Sequence, residues 1–279
     1  MRWPDGYRAA AVLAFDLDGP TGTAMVNGTI WNSPKRFAEG SYGAFRSIPR
    51  LLSLLAQTET KATFFTPAWV VEKWPETCIA IAEAGHEIAH HGYLHERFAD
   101  LSAEAQHDVI NRSQESFRRI LGWEATGYRA PTGDWSPETT TLLSELGFNY
   151  SSSMRDGHEP YLHVLNGVRS ELVEIPARVD LDDYAYFAYS RDPDYPSGGD
   201  RIASYRVVQD NFIREIDGHR AVGGCFITTF HPQLTATPGR ARIIAAMLEH
   251  LQSTGDTWVT TADAVATHAR EALQLELVR

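Results

Sequence analysis

Two carboxylates and two histidines in this sequence have the types and the spacing of a metal site. One residue separates Asp16 from Asp18, and His91 and His95 are four positions apart in a stretch that holds four histidines within ten residues. Close carboxylates repel each other unless a cation or a shared proton relieves the repulsion. On a helical turn, residues four apart face the same side, so both imidazoles could bind one metal ion. The pattern predicts an open metal site with a second carboxylate beside it.

Arginine and histidine complete the set of reactive side chains. Arg129 lies in a loop in which Pro131 and Gly133 favour a tight turn, so its guanidinium could hold a carboxylate and keep it ionised. His231 follows an apolar stretch and precedes a proline, a position from which it could act as a general acid. Together with the metal site, the two residues predict a hydrolytic centre.

Each of these patterns taken alone also has an ordinary explanation. Two acids after a strand can be solvated or can cap a helix, and an isolated HxxxH pair is a weak signal. Arg129 alone is typical of a surface turn, and His231 alone is typical of a capped core histidine. The argument for chemistry is the combination of a metal site, a base, an arginine that orients the base and an acid.

The elements that position these residues alternate between short apolar runs and longer helical patterns. Residues 9–15, 62–65 and 226–230 are predicted to be buried strands. Helices are predicted to begin after Ser102 and Ser136, and others to span 77–84 and 239–251. The alternation predicts an α/β barrel or a related closed sheet, with chemistry at the carboxyl ends of the strands.

Composition limits the classes of protein and partner. The 279 residues carry a formal charge of −11 without a linker-like stretch, so we expect a single domain over 1–279 and no nucleic-acid or membrane partner. The two cysteines, Cys78 and Cys225, do not suggest a disulfide framework, and Cys225 is expected to be a buried thiol. The sequence begins without a secretory pattern and has no long apolar span, so a cytoplasmic location is expected.

In these motifs the sequence resembles the polysaccharide deacetylase family (carbohydrate esterase family 4, with the NodB-homology fold). The four motifs follow one another in the family's order from Asp16 to His231. The resemblance implies a distorted (β/α) barrel and a divalent metal ion, best matched by zinc. The implied metal ligands are Asp18, His91 and His95. Asp16 would be the catalytic base, oriented by Arg129, and His231 the catalytic acid. The loop residues Pro131 and Trp135 are interpreted as substrate-binding.

Several positions depart from the usual family pattern. Leu17 separates two acids that are normally adjacent, Thr132 replaces an aromatic residue, and Thr229 replaces an apolar one. Residues 85–96 and 231–240 are closer to a subgroup of peptidoglycan-deacetylase-like proteins, allantoinases and cyclic-imide hydrolases. Members of that subgroup often form symmetric homo-oligomers, and the acidic surface is compatible with this.

The resulting hypothesis is a metal-dependent hydrolase of non-peptide amide C–N bonds that deacetylates N-acetyl amino sugars. A cyclic amide hydrolase of the allantoinase or imidase type is the alternative. A haloacid-dehalogenase-like phosphatase is a remote alternative, because it leaves His91, His95 and Arg129 unexplained; a non-catalytic binding protein is a third class. Aromatic residues between the motifs could stack on sugar rings: Trp135, Tyr161, Tyr184, Tyr186, Phe187 and Tyr189.

Overall fold

The computed structural model describes residues 1–26, 28–188 and 202–276 as mostly parallel strands alternating with helices. The strands are β1 (Ala9–Val12), β2 (Ala14–Asp16), β3 (Thr63–Thr66), β4 (Glu87–His90), β5 (Gly127–Tyr128), β6 (Tyr150–Ser151), β7 (Tyr161–Leu165), β8 (Val168–Glu174), β9 (Cys225–Ile227) and β10 (Thr257–Val259). The helices are α1 (Thr21–Val26), α2 (Pro34–Tyr42), α3 (Ile48–Gln57), α4 (Ala68–Lys73), α5 (Pro75–Glu83), α6 (Ala103–Leu121), α7 (Pro137–Glu145), α8 (Tyr184–Phe187), α9 (Tyr205–Val222), α10 (Pro232–Thr235), α11 (Ala241–Thr254) and α12 (Ala262–Glu276).

The strand predicted over residues 9–15 is divided into β1 and β2, which enter different sheets. β1 lies between β10 and β9, and β2 begins a larger sheet in the order β2-β3-β4-β5-β6-β8-β7. All of these pairings are parallel except that of β7 with β8. An isolated bridge between Phe15 of β2 and Phe230, three residues after β9, links the two sheets. The predicted α/β fold with parallel strands is confirmed, and the described strands form two linked sheets rather than a continuous closed ring.

The helix signals of the sequence are also present in the structure. The hydroxyl of Ser102 accepts a hydrogen bond from the Ala105 amide at 3.2 Å, and α6 ends at Gly122 in the left-handed conformation. Ser136 and Thr139 form a capping box at the start of α7. The helices cover the sheets with apolar faces, and both cysteines are buried free thiols. Within the described ranges, no helix combines the length and the hydropathy needed to span a bilayer.

Leu17 couples the first acidic motif to this core. Its side chain is fully buried in the main apolar cluster, between two carboxylates that lie on the other side of the chain. A strand directs alternate side chains to opposite faces, so the apolar residue fixes which way its neighbours point. The departure from adjacent acids is therefore compatible with both acids facing one cavity.

We expect Leu17→Ala to lower the free energy of unfolding by about 2–5 kcal/mol, because the substitution leaves a cavity in the core. Urea unfolding measures the change. Val168→Ala on β8 is the control, since its side chain is 69% exposed, and its effect should remain within about 0.5 kcal/mol. Equal stability of the Leu17→Ala and wild-type proteins would contradict the assigned packing.

Candidate metal-binding and catalytic site

The two acids lie at the carboxyl end of β2 and project to the same side. The Asp16 amide donates to the Phe230 carbonyl at 2.7 Å, and the Leu17 amide donates to the Phe65 carbonyl at 2.8 Å. Asp16 and Asp18 line one cavity, whereas Leu17 is in the core. The alternation of the strand thus continues through the motif. It does not have to be lost for both acids to reach the cavity.

The two histidines of the HxxxH motif are in a loop, so their predicted placement on a helical turn is wrong. β4 ends at His90, and the chain then turns through Gly92 and His95, which have φ angles of 73° and 64°. Glu96 accepts hydrogen bonds from the Tyr93 and Leu94 amides, both at 2.9 Å. Glycine tolerates the first positive φ, and the carboxylate of Glu96 satisfies amides that a helix would otherwise have paired.

This loop brings both imidazoles to Asp18. Asp18 Oδ1 lies 3.5 Å from His91 Nε2, and Asp18 Oδ2 lies 3.7 Å from His95 Nε2. His91 Nδ1 is 2.8 Å from the Arg129 carbonyl, a hydrogen bond that leaves Nε2 free to accept a cation when Nδ1 carries the proton. The three side chains form a cluster whose ligand atoms are within 4.8 Å of one another.

Two observations test whether these residues fit a cation. Asp18 Oδ1 is buried and accepts no hydrogen bond from any residue that the structure describes. Such an atom is costly unless it has a partner. A Cβ atom on Gly22 would lie 2.8 Å from Asp18 Oδ2, so the glycine preserves space beside the carboxylate. One carboxylate and two imidazoles are a common ligand set for zinc, and the residues therefore fit a divalent metal ion.

Asp16 has a different partner from Asp18. Arg129 Nη1 donates to Asp16 Oδ1 at 2.7 Å, and both side chains are buried. The guanidinium is held by the Ser152 carbonyl at 3.0 Å and the Ser152 hydroxyl at 2.9 Å. It also lies over the ring of Phe65, 4.1 Å from the centroid. The arginine is thus held rigidly against a single carboxylate oxygen.

His231 also approaches Asp18 and is held by Asp183. Its Nδ1 is 2.7 Å from Asp183 Oδ1, and its backbone amide donates to Asp183 Oδ2 at 2.9 Å. The hydroxyl of Thr235 also donates to Asp183. His231 Nε2 lies 3.6 Å from Asp18 Oδ2, so the other ring nitrogen faces the candidate metal site.

Burial and charge shift the pKa values of these groups in different directions. Burial raises the pKa of Asp18 to about 8. Burial acts in the same sense on Asp16, but the charges of Arg129, His91 and His231 and the Arg129 hydrogen bond together outweigh it, so the pKa of Asp16 is lowered. Burial lowers the pKa values of His91 and His95, which keeps both imidazoles neutral and able to bind a cation. Burial also disfavours the protonated form of His231, but the nearby carboxylates of Asp183 and Asp18 favour it and raise the pKa of His231 well above 6.5.

A cavity of about 340 Å³ contains these groups. Its wall includes Asp182 and Tyr184, so one of the aromatic residues considered for sugar stacking does face it. Among the described residues, Pro131 and Trp135 do not line the cavity, and their predicted role in substrate binding is not supported. The Trp135 ring instead stacks on His163, with the planes inclined by 5°. Tyr189 lies outside the described residues.

The sequence indicates the candidate ligands but few of the residues that hold them. Resemblance to the family's variable fourth motif predicts that Asp182 and Asp183 lie near the site, whereas Ser152 belongs to none of the motifs. A signal for Glu96 does exist, since an acid directly after the HxxxH segment can cap its exposed amides. The role of Ser152 depends on a contact with a residue 23 positions away, which no local pattern reveals.

Comparison with known proteins identifies the family. The chain is 30% identical over 258 residues to a peptidoglycan deacetylase of Helicobacter pylori, an alignment that covers 82% of this chain and 86% of the relative. The chain belongs to the polysaccharide deacetylase family. The family profile, described as polysaccharide deacetylase, matches residues 41–151. The protein is therefore a hydrolase of carbon–nitrogen bonds other than peptide bonds, and the phosphatase and binding-protein alternatives are set aside.

Solved structures of relatives have the same fold. A structure from Mycobacterium smegmatis assigned to the polysaccharide deacetylases is 31% identical, with a TM-score of 0.92 over 98% of this chain and 93% of that one. An allantoinase superposes with a TM-score of 0.81 over 96% of this chain and 92% of that one, at 19% identity. The second likeness concerns the fold alone. The predicted barrel-type architecture of the deacetylases is confirmed by these neighbours.

We expect the metal-free protein to contain one protonated and two neutral site histidines near pH 6.5. Because Asp183 contributes most to holding the charge on His231, Asp183→Asn should lower the pKa of His231 by about 1–3 units. Nitrogen-15 NMR titration of the imidazoles in the presence of a chelator measures this. Asp180→Asn, which removes an acid paired with Arg178, is the control and should leave the pKa of His231 unchanged. A neutral His231 at pH 6.5 in the wild-type protein would contradict the assignment.

Proposed function

We propose that this family member is a divalent-metal-dependent deacetylase of N-acetylated amino sugars in a glycan. The observation that carries the proposal is the close approach of two further reactive groups to the Asp18–His91–His95 cluster. Oδ2 of the Arg129-bound Asp16 lies 3.7 Å from His91 Nε2, and His231 Nε2 lies 3.6 Å from Asp18 Oδ2. Such an arrangement supplies a base, a cation and an acid around one reacting amide.

Asp18, His91 and His95 would hold the metal ion, and zinc matches this ligand set best, although cobalt, nickel and manganese also bind imidazole–carboxylate sites. When bound, the cation would polarise the acetyl carbonyl and lower the pKa of water beside it toward about 7. Asp18 and the two neutral imidazoles supply one negative charge, so the site remains electrophilic.

Asp16 and His231 each carry out one of the two proton transfers. Asp16, ionised and directed by Arg129, accepts a proton as water adds to the carbonyl carbon. His231, protonated and held by Asp183, donates its proton to the amide nitrogen as the C–N bond breaks. The products are acetate and a free amine. One water proton enters Asp16, the other leaves with the acetic acid, which ionises to acetate, and the proton on the amine comes from His231. Before the next turnover Asp16 must lose a proton and His231 must gain one.

The glycan substrate is supported by the relatives and by the cavity. The relative from Helicobacter pylori is described as a peptidoglycan deacetylase. The cavity is partly open and includes Tyr184, whose ring could contact a sugar face. A small cyclic amide remains the competing substrate class. Acetate release from N-acetylglucosamine oligosaccharides and from peptidoglycan, compared with ring opening of allantoin and a cyclic imide, distinguishes the two.

We expect removal of the cation with a chelator to abolish acetate release and zinc or cobalt to restore it. His91→Ala should weaken cation binding by more than the roughly 10–100-fold that loss of an outer-shell partner causes, because a ligand itself is removed. Calorimetric titration and elemental analysis measure the affinity and stoichiometry. His107→Ala is the matched control, since this histidine is exposed on α6. Full chelator-resistant activity would refute metal dependence.

We expect Asp16→Asn to keep cation binding and to lower kcat by about 10²–10⁴-fold, because the amide cannot accept the proton. Steady-state kinetics together with a cation titration separate these two effects. Asp108→Asn, on the exposed surface of α6, should leave both unchanged. An Asp16→Asn enzyme with normal kcat would show that another group is the base.

Domain organisation, location and assembly are also proposed. A single domain over 1–279, a cytoplasmic location and a homo-oligomeric assembly are predictions from the sequence. The absence of nucleic-acid partners rests on the formal charge of −11. Fractionation and light scattering test the location and the assembly.

A further inference from the structure

The antiparallel hairpin of β7 and β8 contains a buried acid that the proposed chemistry does not use. Glu174, the last residue of β8, is fully buried and does not line the cavity. Its Oε1 accepts hydrogen bonds from the Ser153 amide at 2.6 Å and the Met154 amide at 2.8 Å. Its Oε2 lies 2.9 Å from His163 Nε2. A carboxylate withdrawn from water needs such partners, and here they all belong to two neighbouring segments.

The Ser152–Met154 turn, whose amides donate to Glu174, also binds the side chain of Arg129. Ser152 accepts two hydrogen bonds from the guanidinium through its carbonyl and its hydroxyl. The Ser153 hydroxyl accepts the Ala130 amide at 2.9 Å. The turn after β6 therefore contacts both the side chain of the arginine and the backbone that follows it.

The same hairpin also contacts the loop that carries Arg129. His163 on β7 stacks against Trp135, with ring centroids 5.8 Å apart. The indole Nε1 donates to the Thr140 hydroxyl at 2.9 Å, which ties the ring to α7. This contact explains why Trp135 is directed away from the cavity. The hairpin is thus attached to the loop after β5 through Trp135 and to the turn after β6 through Glu174.

We propose that Glu174 is a positioning residue for catalysis, which acts through the Ser152–Met154 turn to hold Arg129 against Asp16, with His163 and Trp135 as its outer supports. The proposal rests on the proposed function, because it requires Asp16 to be the base that Arg129 orients. Removing the carboxylate leaves two buried amides without an acceptor, and the turn must shift to solvate them. A displacement of about 1 Å in a group that orients a base can lower the rate by about 10²-fold.

The role predicts a specific kinetic signature. Glu174→Leu keeps the approximate size but cannot accept the two amides, so kcat should fall by about 10–100-fold. KM and cation affinity should change less than kcat, because the turn reaches the Asp18–His91–His95 cluster only indirectly, through the Arg129–Ala130 peptide that binds His91. Glu174→Gln can accept the amides through its oxygen and offer an N–H to the other tautomer of His163, and it should recover most of kcat. Glu171→Leu, on the same strand with an exposed side chain, is the matched control and should have wild-type kinetics.

A double-mutant cycle with Arg129 tests whether Glu174 influences kcat through Arg129. Arg129→Lys keeps the charge but loses the planar fork that Ser152 binds. If Glu174 acts through Arg129, Glu174→Leu should lower kcat much less in the Arg129→Lys background than in the wild-type background. Independent multiplication of the two effects would overturn the proposal.

Stability is measured in parallel by thermal unfolding. Should Glu174→Leu not fold, His163→Phe replaces it, because this change removes the partner of Oε2 and retains an aromatic ring against Trp135. A smaller fall in kcat that disappears in the Arg129→Lys background supports the proposal, and an unchanged kcat refutes it. Loss of the proposed function would appear differently, as a wild-type protein that releases no acetate. An active wild type with a fully active, folded Glu174→Leu variant would contradict the positioning role alone.

Discussion

The ion pair between Arg129 and Asp16 is the interaction on which the chemistry of the site depends, because it makes two nearly identical acids different. Asp16 and Asp18 are separated by one residue, are both buried and face the same cavity. The guanidinium lowers the pKa of Asp16 and occupies one of its oxygens. Asp18 has no such partner, its pKa is raised to about 8, and its Oδ1 has no hydrogen-bond donor among the described residues. One acid is thereby suited to accept a proton and the other to bind a cation.

Rigid attachment of these groups comes from short loops at the carboxyl ends of parallel strands. The acids follow β2, the histidines follow β4, Arg129 follows β5 and the turn that binds it follows β6. In two of these loops a nearby acid accepts hydrogen bonds from backbone amides: Glu96 in the loop after β4, and Glu174 of β8 in the turn after β6. A loop held in this way has fewer alternative conformations, so the side chains it carries need less reorganisation before reaction.

The antiparallel hairpin of β7 and β8 contacts the segments of the sheet that hold Arg129. β8 pairs with β6 in the parallel direction and with β7 in the antiparallel direction, so the end of β8 lies beside the turn that binds Arg129. Trp135 joins the same region through His163. Trp135 thus packs against the hairpin and is not part of the cavity wall. The indole ring of Trp135 stacks on His163, and its Nε1 donates to the Thr140 hydroxyl.

The sequence by itself determined the alternating α/β architecture, the helix starts at Ser102 and Ser136, and the set of reactive residues, because these depend on residue type and on periods of a few positions. Tertiary structure decided how they are used. It placed His91 and His95 in a loop instead of a helix, since Gly92 and the Glu96 carboxylate stabilise turns that spacing alone does not reveal. It also divided residues 9–15 between two sheets and turned Trp135 away from the cavity. Contacts between segments far apart in the chain control these outcomes, and a local pattern contains no information about such partners.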